Sequence, residues 1–269
     1  MTNLLEVRGL GKTFSRSRRL VGRRAPSILP AVDDVSFTLP KGRSIAVVGE
    51  SGAGKSTVGR LVLRLIEPDR GEITFDGIDL RLQSAAQLRA LRRRMQMVFQ
   101  DPYSCLNPRM TIADSVAEPL IVHELGSPSQ RLQKAAEMLD RVGLTSQFGR
   151  RHPSELSGGQ LQRVAIARAL IVEPDFVVCD EPTAALDVSV QAQVLGLLAE
   201  MQRELGLALL FITHHLALVE VIADDVIVMK SGRIVEQGPV ARVLRNPADP
   251  YTRDLLASVP TPMPRALRP

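Results

Sequence analysis

Nine consecutive residues constrain this chain more than any others: Gly49-Glu50-Ser51-Gly52-Ala53-Gly54-Lys55-Ser56-Thr57. They follow an apolar run, Ile45-Ala46-Val47-Val48, and precede a helix-like pattern from Val58 to Ile66. Strand, glycine loop and helix in that order satisfy G-x-x-x-x-G-K-[ST] at every position. The glycines let backbone N–H groups close around an anion with no Cβ in the way. The start of the helix adds unpaired N–H groups and the positive end of its dipole. In such a loop Lys55 would place its charge on the β- and γ-phosphates of a nucleotide, and the Ser56 hydroxyl would hold Mg²⁺. The plainer reading is a Gly/Ser surface turn carrying one lysine, which does not require the full pattern in this context.

The rest of the chain sets the bounds. With 269 residues, 45% of them hydrophobic, it can bury a sizeable core as one large domain or one with a sub-domain. A charged fraction of 23% excludes a disordered composition. Trp is absent and aromatics make up 3%, so stacking on nucleic-acid bases is a poor first reading. The net charge of +5 suits polyanionic ligands or a membrane surface without selecting either. Cys105 and Cys179 fit no metal spacing or disulfide framework, which points to a reducing cytoplasm. Met1 to Glu6 lacks a basic start followed by an apolar core, and Arg18-Arg19 precedes no apolar run, so no export signal is expected. No run of about 18 apolar residues exists, so the chain is not expected to span a bilayer. Its most apolar zone, Leu205 to Met229, is broken by His214, His215, Glu220, Asp224 and Asp225.

Read in order, Leu4 to Leu10 is a strand, and Ser15 to Pro30 is a polar stretch with five arginines. Such a run is a solvated loop or a contact with lipid phosphates or another chain. Val35 to Leu39 alternates with period two, as a strand does. Glu72 to Phe75 is a strand closed by the Asp76-Gly77 turn, Ser84 to Arg94 is a basic helix, and Met97-Val98-Phe99 is a short apolar run ended by Gln100-Asp101-Pro102. Strand-like runs then vanish between Asp101 and Leu156. Leu132, Ala135, Ala136, Leu139 and Val142 recur there at helical spacing between Pro128 and Gly143, which predicts a helical insertion. Phe176 to Cys179 and Ala208 to Thr213 are continuous apolar runs, the pattern of buried parallel strands. Val226 to Met229 and Arg233 to Glu236 flank Ser231-Gly232 as a hairpin. From Arg245 on, prolines are frequent and the chain reads as an appended tail.

Two further stretches carry chemistry. Asp180 and Glu181 end the Phe176 strand, where a carboxylate beside a phosphate loop binds Mg²⁺. That makes Asp180 the metal-side acid, while Glu181 could orient or deprotonate a water. Taken alone, the same pair would read as a helix cap. Leu156-Ser157-Gly158-Gly159-Gln160 opens a second helix and supplies a second anion-binding N-terminus. One nucleotide needs one cradle, so the second asks for another molecule's nucleotide; a plain capped helix is the alternative.

Together these stretches resemble the ATP-binding cassette (ABC) ATPases over nearly the whole chain. Gly49 to Thr57 is a Walker A motif, and Leu156 to Gln160 matches the family signature letter for letter. Phe176 to Glu181 is similar to the Walker B strand with its catalytic glutamate, and Gln100 sits where the Q-loop glutamine sits. Ala184-Ala185-Leu186-Asp187 resembles the D-loop, with Ala184 where serine is common. Ile212-Thr213-His214 resembles the H-loop and selects His214, rather than His215, for the γ-phosphate. Phe14 falls at the adenine-stacking position, although the Arg-rich stretch separates it widely from Gly49; a core phenylalanine is the other reading.

The resemblance implies an α/β fold: a P-loop NTPase (RecA-like) core with a mostly parallel sheet, an N-terminal antiparallel β portion and an inserted helical sub-domain. Residues 1–100 and 156–244 would form the ATP-binding core, 101–155 the helical signature sub-domain and 245–269 a C-terminal extension. It implies ATP and Mg²⁺ as cofactors, with Ser56, Gln100 and Asp180 on the metal and Glu181, His214 and Gln100 in catalysis. Phe14, Gly49 to Thr57, Ser157 to Gln160 and Asp187 would bind nucleotide. Phe99 to Thr111 and Asn246 to Pro260 are similar to the Q-loop region and tail of oligopeptide and dipeptide importers, some relatives of which serve nickel or glutathione. Some carry an iron–sulfur cluster in the tail; this tail has no cysteine, so none is expected. The implied partners are a second ATPase subunit, two integral membrane permeases and an extracytoplasmic solute-binding protein, with no nucleic acid. The implied place is the cytoplasmic face of the cell membrane, peripherally bound. A soluble ABC ATPase of DNA repair or translation is the alternative, though such chains usually carry long coiled-coil insertions or two cassettes.

Overall fold

The structure, a computed structural model, describes residues 3–14, 30–184 and 186–258. The expectations on residues 1–2, the Arg-rich stretch 15–29, Ala185 and the tail from Val259 lie outside the described residues. Ten strands occur among the described residues: β1 (Asn3–Lys12), β2 (Val32–Pro40), β3 (Ser44–Val48), β4 (Arg70–Phe75), β5 (Ile78–Asp79), β6 (Met95–Val98), β7 (Phe176–Asp180), β8 (Ala208–Ile212), β9 (Asp225–Lys230) and β10 (Arg233–Pro239).

The period-two pattern near the N-terminus makes an antiparallel sheet in the order β2-β1-β4-β5. Along β2, Val32, Val35, Phe37 and Leu39 are buried while Ser36 and Thr38 face water. The continuous apolar runs make the second sheet, ordered β10-β9-β3-β8-β7-β6. Its five strands from β9 to β6 are parallel, and β10 returns antiparallel at one edge. Both faces of this sheet are covered, which is why its strands show no alternation in sequence. Phe176, Val178, Leu210 and Ile212 point toward β1, β2 and the helix Lys55–Val62. Val177, Cys179, Leu209 and Phe211 point toward the helices Gly158–Leu170 and Val188–Leu205.

Between β6 and β7 the described residues form helices and no strand, with α-helices Pro102–Cys105, Ile112–Val122, Pro128–Arg141 and Gly158–Leu170. Ser127 and Gln130 form a reciprocal cap, Pro128 takes the first helical position, and Gly143 at φ 74 follows the end. The apolar stripe differs from expectation by one position. Ala135, Leu139 and Val142 are buried, but Leu132 is 48% exposed and Met138 takes its place. Positions 135, 138, 139 and 142 share one helical face, whereas 132 begins to leave it.

One other reading is corrected. The helix after the glycine loop runs Lys55–Val62, earlier than Val58 to Ile66, because Arg64 adopts a left-handed φ of 48 that a helix cannot continue through. The segment after Arg245 holds a helix, Pro250–Ala257, whose Tyr251 joins Ala46, Val48, Val228 and Val243 in a core cluster behind β3 and β9. Among the described residues no helix is long and apolar enough to cross a membrane. The longest, Val188–Leu205, has 18 residues, so no long coiled-coil arm is present there.

Candidate active site

Strand β3 delivers the glycine loop at the C-terminal edge of the parallel sheet, flanked by β8 and β9. Two of its glycines are required by close approach. A Cβ on Gly49 would stand 2.2 Å from the Met229 carbonyl oxygen, and one on Gly54 would stand 2.2 Å from that of Ala31. Gly54 ends the loop at φ 99 and caps the helix with no side chain, leaving the first N–H groups of Lys55–Val62 without a side-chain partner.

Lys55 is 5% exposed, yet its Nζ has partners: it donates to Gly49 O at 2.8 Å and Glu50 O at 2.9 Å. Burial lowers its pKa from the ordinary lysine value, and the Glu181 and Asp180 carboxylates oppose that shift. At the next residue, the Ser56 hydroxyl donates to Asp180 Oδ1 at 2.7 Å. Burial raises the Asp180 carboxyl above the usual carboxylate range, with the Ser56 hydrogen bond acting the other way. A hydroxyl and a carboxylate held together beside a phosphate loop are the donor set that Mg²⁺ takes, since this ion keeps waters and phosphate oxygens for its other positions. The residues present therefore fit nucleotide and metal.

Glu181 follows β7 in a left-handed conformation, φ 45, held by its N–H donating to Ile212 O at 3.0 Å. A non-glycine residue there costs on the order of 1–2 kcal/mol, so the neighbouring strands fix it. The turn sends its side chain, 15% exposed, to two partners. Gln100 Nε2 donates to Oε2 at 3.3 Å, and His214 Nδ1 stands 3.2 Å from Oε1. His215 is not part of this group; its N–H instead donates to Thr213 Oγ1.

The structure thus brings Lys55, Ser56, Gln100, Asp180, Glu181 and His214 together at one sheet edge, with Thr57 next to Ser56 in the first turn of the helix. Phe14 is 52% exposed, which removes the core reading. Its strand end lies by the loop despite the Arg-rich stretch: Ala31 N donates to Lys12 O, and Ala31 O abuts Gly54. Asp69 pins the approach, accepting from Lys12 Nζ and Thr13 N at 2.7 Å each.

Ser157 to Gln160 are not brought to this loop within the chain. Ser157 caps the helix Gly158–Leu170, accepting from Gln160 N, while its own N–H donates to Gln160 Oε1 at 3.0 Å. A Cβ on Gly158 would meet nothing closer than Leu186 Cδ2 at 3.7 Å, an ordinary contact. Asp187 caps the helix Val188–Leu205 through Val190 N at 3.0 Å and Ser189 Oγ at 2.7 Å, and these bonds, Val190's first, hold its carboxyl below the usual range.

Sequence reasoning missed Tyr251, whose hydroxyl accepts the Glu50 N–H at 3.1 Å. The available signal was Asp249-Pro250-Tyr251: an Asp before Pro at a helix start positions the third residue.

The sequence profile described as ABC transporter matches residues 32–184. The oligopeptide transport ATP-binding protein OppF of Bacillus subtilis is 47% identical over 97% of this chain and 84% of its own length. A putative peptide import ATP-binding protein of Brucella ovis is 48% identical over 98% and 81%. Among solved structures, the ATP-binding cassette MJ0796, dimeric in a post-hydrolysis state with ADP and Pi, superposes with a TM-score of 0.77 at 30% identity, covering 88% of this chain and 98% of that one. By the profile, the identities and the coverage, the chain belongs to the ABC transporter family.

Proposed function

We propose that this chain is the ATP-hydrolysing subunit of an importer that takes up oligopeptides, dipeptides or a related small solute through separate membrane permeases. The observation that carries the hydrolytic part is the convergence of Lys55, Ser56, Asp180 and Glu181 at the mouth of one glycine loop. Relatives named for peptide import, matched nearly end to end, support the substrate class.

Lys55 binds the terminal phosphates, and the loop N–H groups cradle them. Ser56 and Asp180 would hold Mg²⁺, which offsets charge on the phosphate oxygens. Glu181 takes the proton of the attacking water, oriented by Gln100 and His214. Phe14 stacks on the base from the end of β1. Ser157, Gly158, Gly159 and Gln160 close over the nucleotide of a second ATPase subunit, and Asp187 stands at that junction. The space left at Gly158 supports this: nothing inside the chain demands a glycine there. Binding across two chains turns nucleotide occupancy into closure of a dimer. In this reading 1–100 with 156–244 is the core, 101–155 the signature sub-domain, linked to the nucleotide through Gln100, and 245–269 the extension. A solute-binding protein outside the cell delivers cargo, and the chain sits peripherally at the cytoplasmic face.

Reconstitution of the chain with its permeases in liposomes tests this. ATP-dependent peptide uptake, stimulated by the binding protein, is expected. Binding to permeases with hydrolysis but no peptide uptake would overturn the cargo; no association with permeases would overturn the importer.

A further inference from the structure

The Gly49–Glu50 peptide unit is held from both sides. Its N–H donates to Tyr251 Oη at 3.1 Å, and its carbonyl, Gly49 O, accepts from Lys55 Nζ at 2.8 Å. A peptide unit is a rigid plane, so these two contacts are mechanically joined. The residue before it is a glycine at φ 146, which leaves the orientation of that plane to its hydrogen bonds rather than to side-chain sterics. The ammonium has three donors. Gly49 O and Glu50 O take two of them, and one remains for an anion.

The hydroxyl is placed with care at its own end. Tyr251 is 8% exposed among Val48, Val228 and Val243, with Lys230 Nζ 4.5 Å from its ring centroid. Asp249 Oδ1 accepts the Tyr251 N–H at 2.8 Å, and the buried Glu236 accepts from Ala248 N at 2.9 Å and Asp249 N at 3.2 Å. A seat this specific, 201 residues away in sequence from the loop it touches, is more than packing requires.

The geometry points to Tyr251 as a positioning residue for the nucleotide phosphates: through the Gly49–Glu50 peptide it fixes Lys55, and phosphate binding at Lys55 in turn tightens the docking of the helix Pro250–Ala257. The second half follows from the first, because coupling between two sites is reciprocal. The inference rests on the nucleotide reading of the loop given above. It adds that the tail responds to what the loop holds.

The test uses the full chain with ADP and Mg²⁺ as the probe. Calorimetry should show Tyr251→Phe binding ADP about three- to tenfold more weakly, the loss expected for one hydrogen bond. Leu255→Ala, which trims a partly buried side chain of the same helix and leaves the Tyr251 hydroxyl in place, should lose clearly less affinity than Tyr251→Phe. Amide hydrogen exchange in residues 250–257 should slow on adding ADP to the wild type and stay unchanged in Tyr251→Phe. The wild-type exchange measurement stands even if a variant folds poorly. Equal affinity of Tyr251→Phe and wild type, an equal loss in Leu255→Ala, or tail exchange indifferent to ADP would each overturn the inference. A wild-type chain that binds no ADP would instead remove the nucleotide reading, and this inference with it.

Discussion

His214 Nδ1 stands 3.2 Å from Glu181 Oε1, joining the end of β8 to the end of β7 across the mouth of the loop. With Gln100 on the other oxygen, the carboxylate is held in one orientation from two sides. Glu181→Gln keeps the shape and both neighbours but cannot accept a proton from water. Turnover in the assembled transporter should fall about 10²- to 10⁴-fold while ATP binding is retained. Near-normal steady-state ATPase would take Glu181 out of this role.

Lys55→Ala removes a buried charge whose neighbours, Gly49 O and Glu50 O, are fixed. ATP affinity should fall about ten- to a hundredfold, as for loss of a charge-assisted hydrogen bond. Calorimetry checks it, and unchanged affinity contradicts the cradle.

Phe14→Ala should weaken ATP binding by about 1–3 kcal/mol if the ring stacks on the base. GTP and ATP should suffer alike, since every base presents a π-face. The side chain is exposed, so thermal stability should hardly change. A drop in melting temperature without a drop in affinity would refute stacking.

Much of this site is legible in the sequence, and the rest is hidden for identifiable reasons. The loop announces itself because its fixed positions, Gly49, Gly54, Lys55 and Ser56, each have a steric or electrostatic job within one short stretch. β7 and β8 are legible because burial on both faces leaves a continuous apolar run, broken in β7 only by Asp180 at its end. Tyr251 is hidden because a single phenol reads equally as core or surface, and its partner is a backbone N–H that sequence does not mark. Leu132 misleads because one helical turn of apolar residues continues past the edge of its buried face. The early end of the first helix is hidden because Arg64 gives no sign of its left-handed backbone.

Glu236 gives the tail a pH dependence. Burial, the largest single influence, would raise its carboxyl, but the Ala248 N–H, the Thr252 side chain, the Asp249 N–H and the Arg242 charge together outweigh it, and its pKa lies below the ordinary glutamate value. Its contribution is therefore complete above the ordinary value and lost as pH falls through the folded-state value. Glu236→Gln should cost about 1–3 kcal/mol near neutrality. The gap in melting temperature between wild type and variant should narrow in acid; a gap independent of pH would refute the assignment.

Gly158→Asp tests whether the site is shared. Monomer ATP binding should stay near normal, because Ser157 to Gln160 do not reach the loop of their own chain. Closure and ATPase should fail, since the new carboxylate would face the partner's nucleotide at close range. A mixed dimer with Gly158→Asp in one subunit and Lys55→Ala in the other damages one composite site twice and spares the other. Placing both changes in one subunit damages both sites. The first arrangement should retain more ATPase, given a control in which one intact site turns over; equal activities would sink the shared site.

The strand order has a consequence for biosynthesis. β3 carries the loop, yet its sheet neighbours are β8 and β9, while β1 and β2 belong to the other sheet. A growing chain emits Ile45–Val48 long before Ala208–Ile212 and Asp225–Lys230 leave the ribosome, a wait on the order of ten seconds at usual elongation rates. Throughout it, an apolar strand with two open edges has no native partner and invites either a chaperone or a neighbouring nascent chain. A ribosome-stalled chain ending before Ala208 should hold the whole loop sequence and still bind no nucleotide.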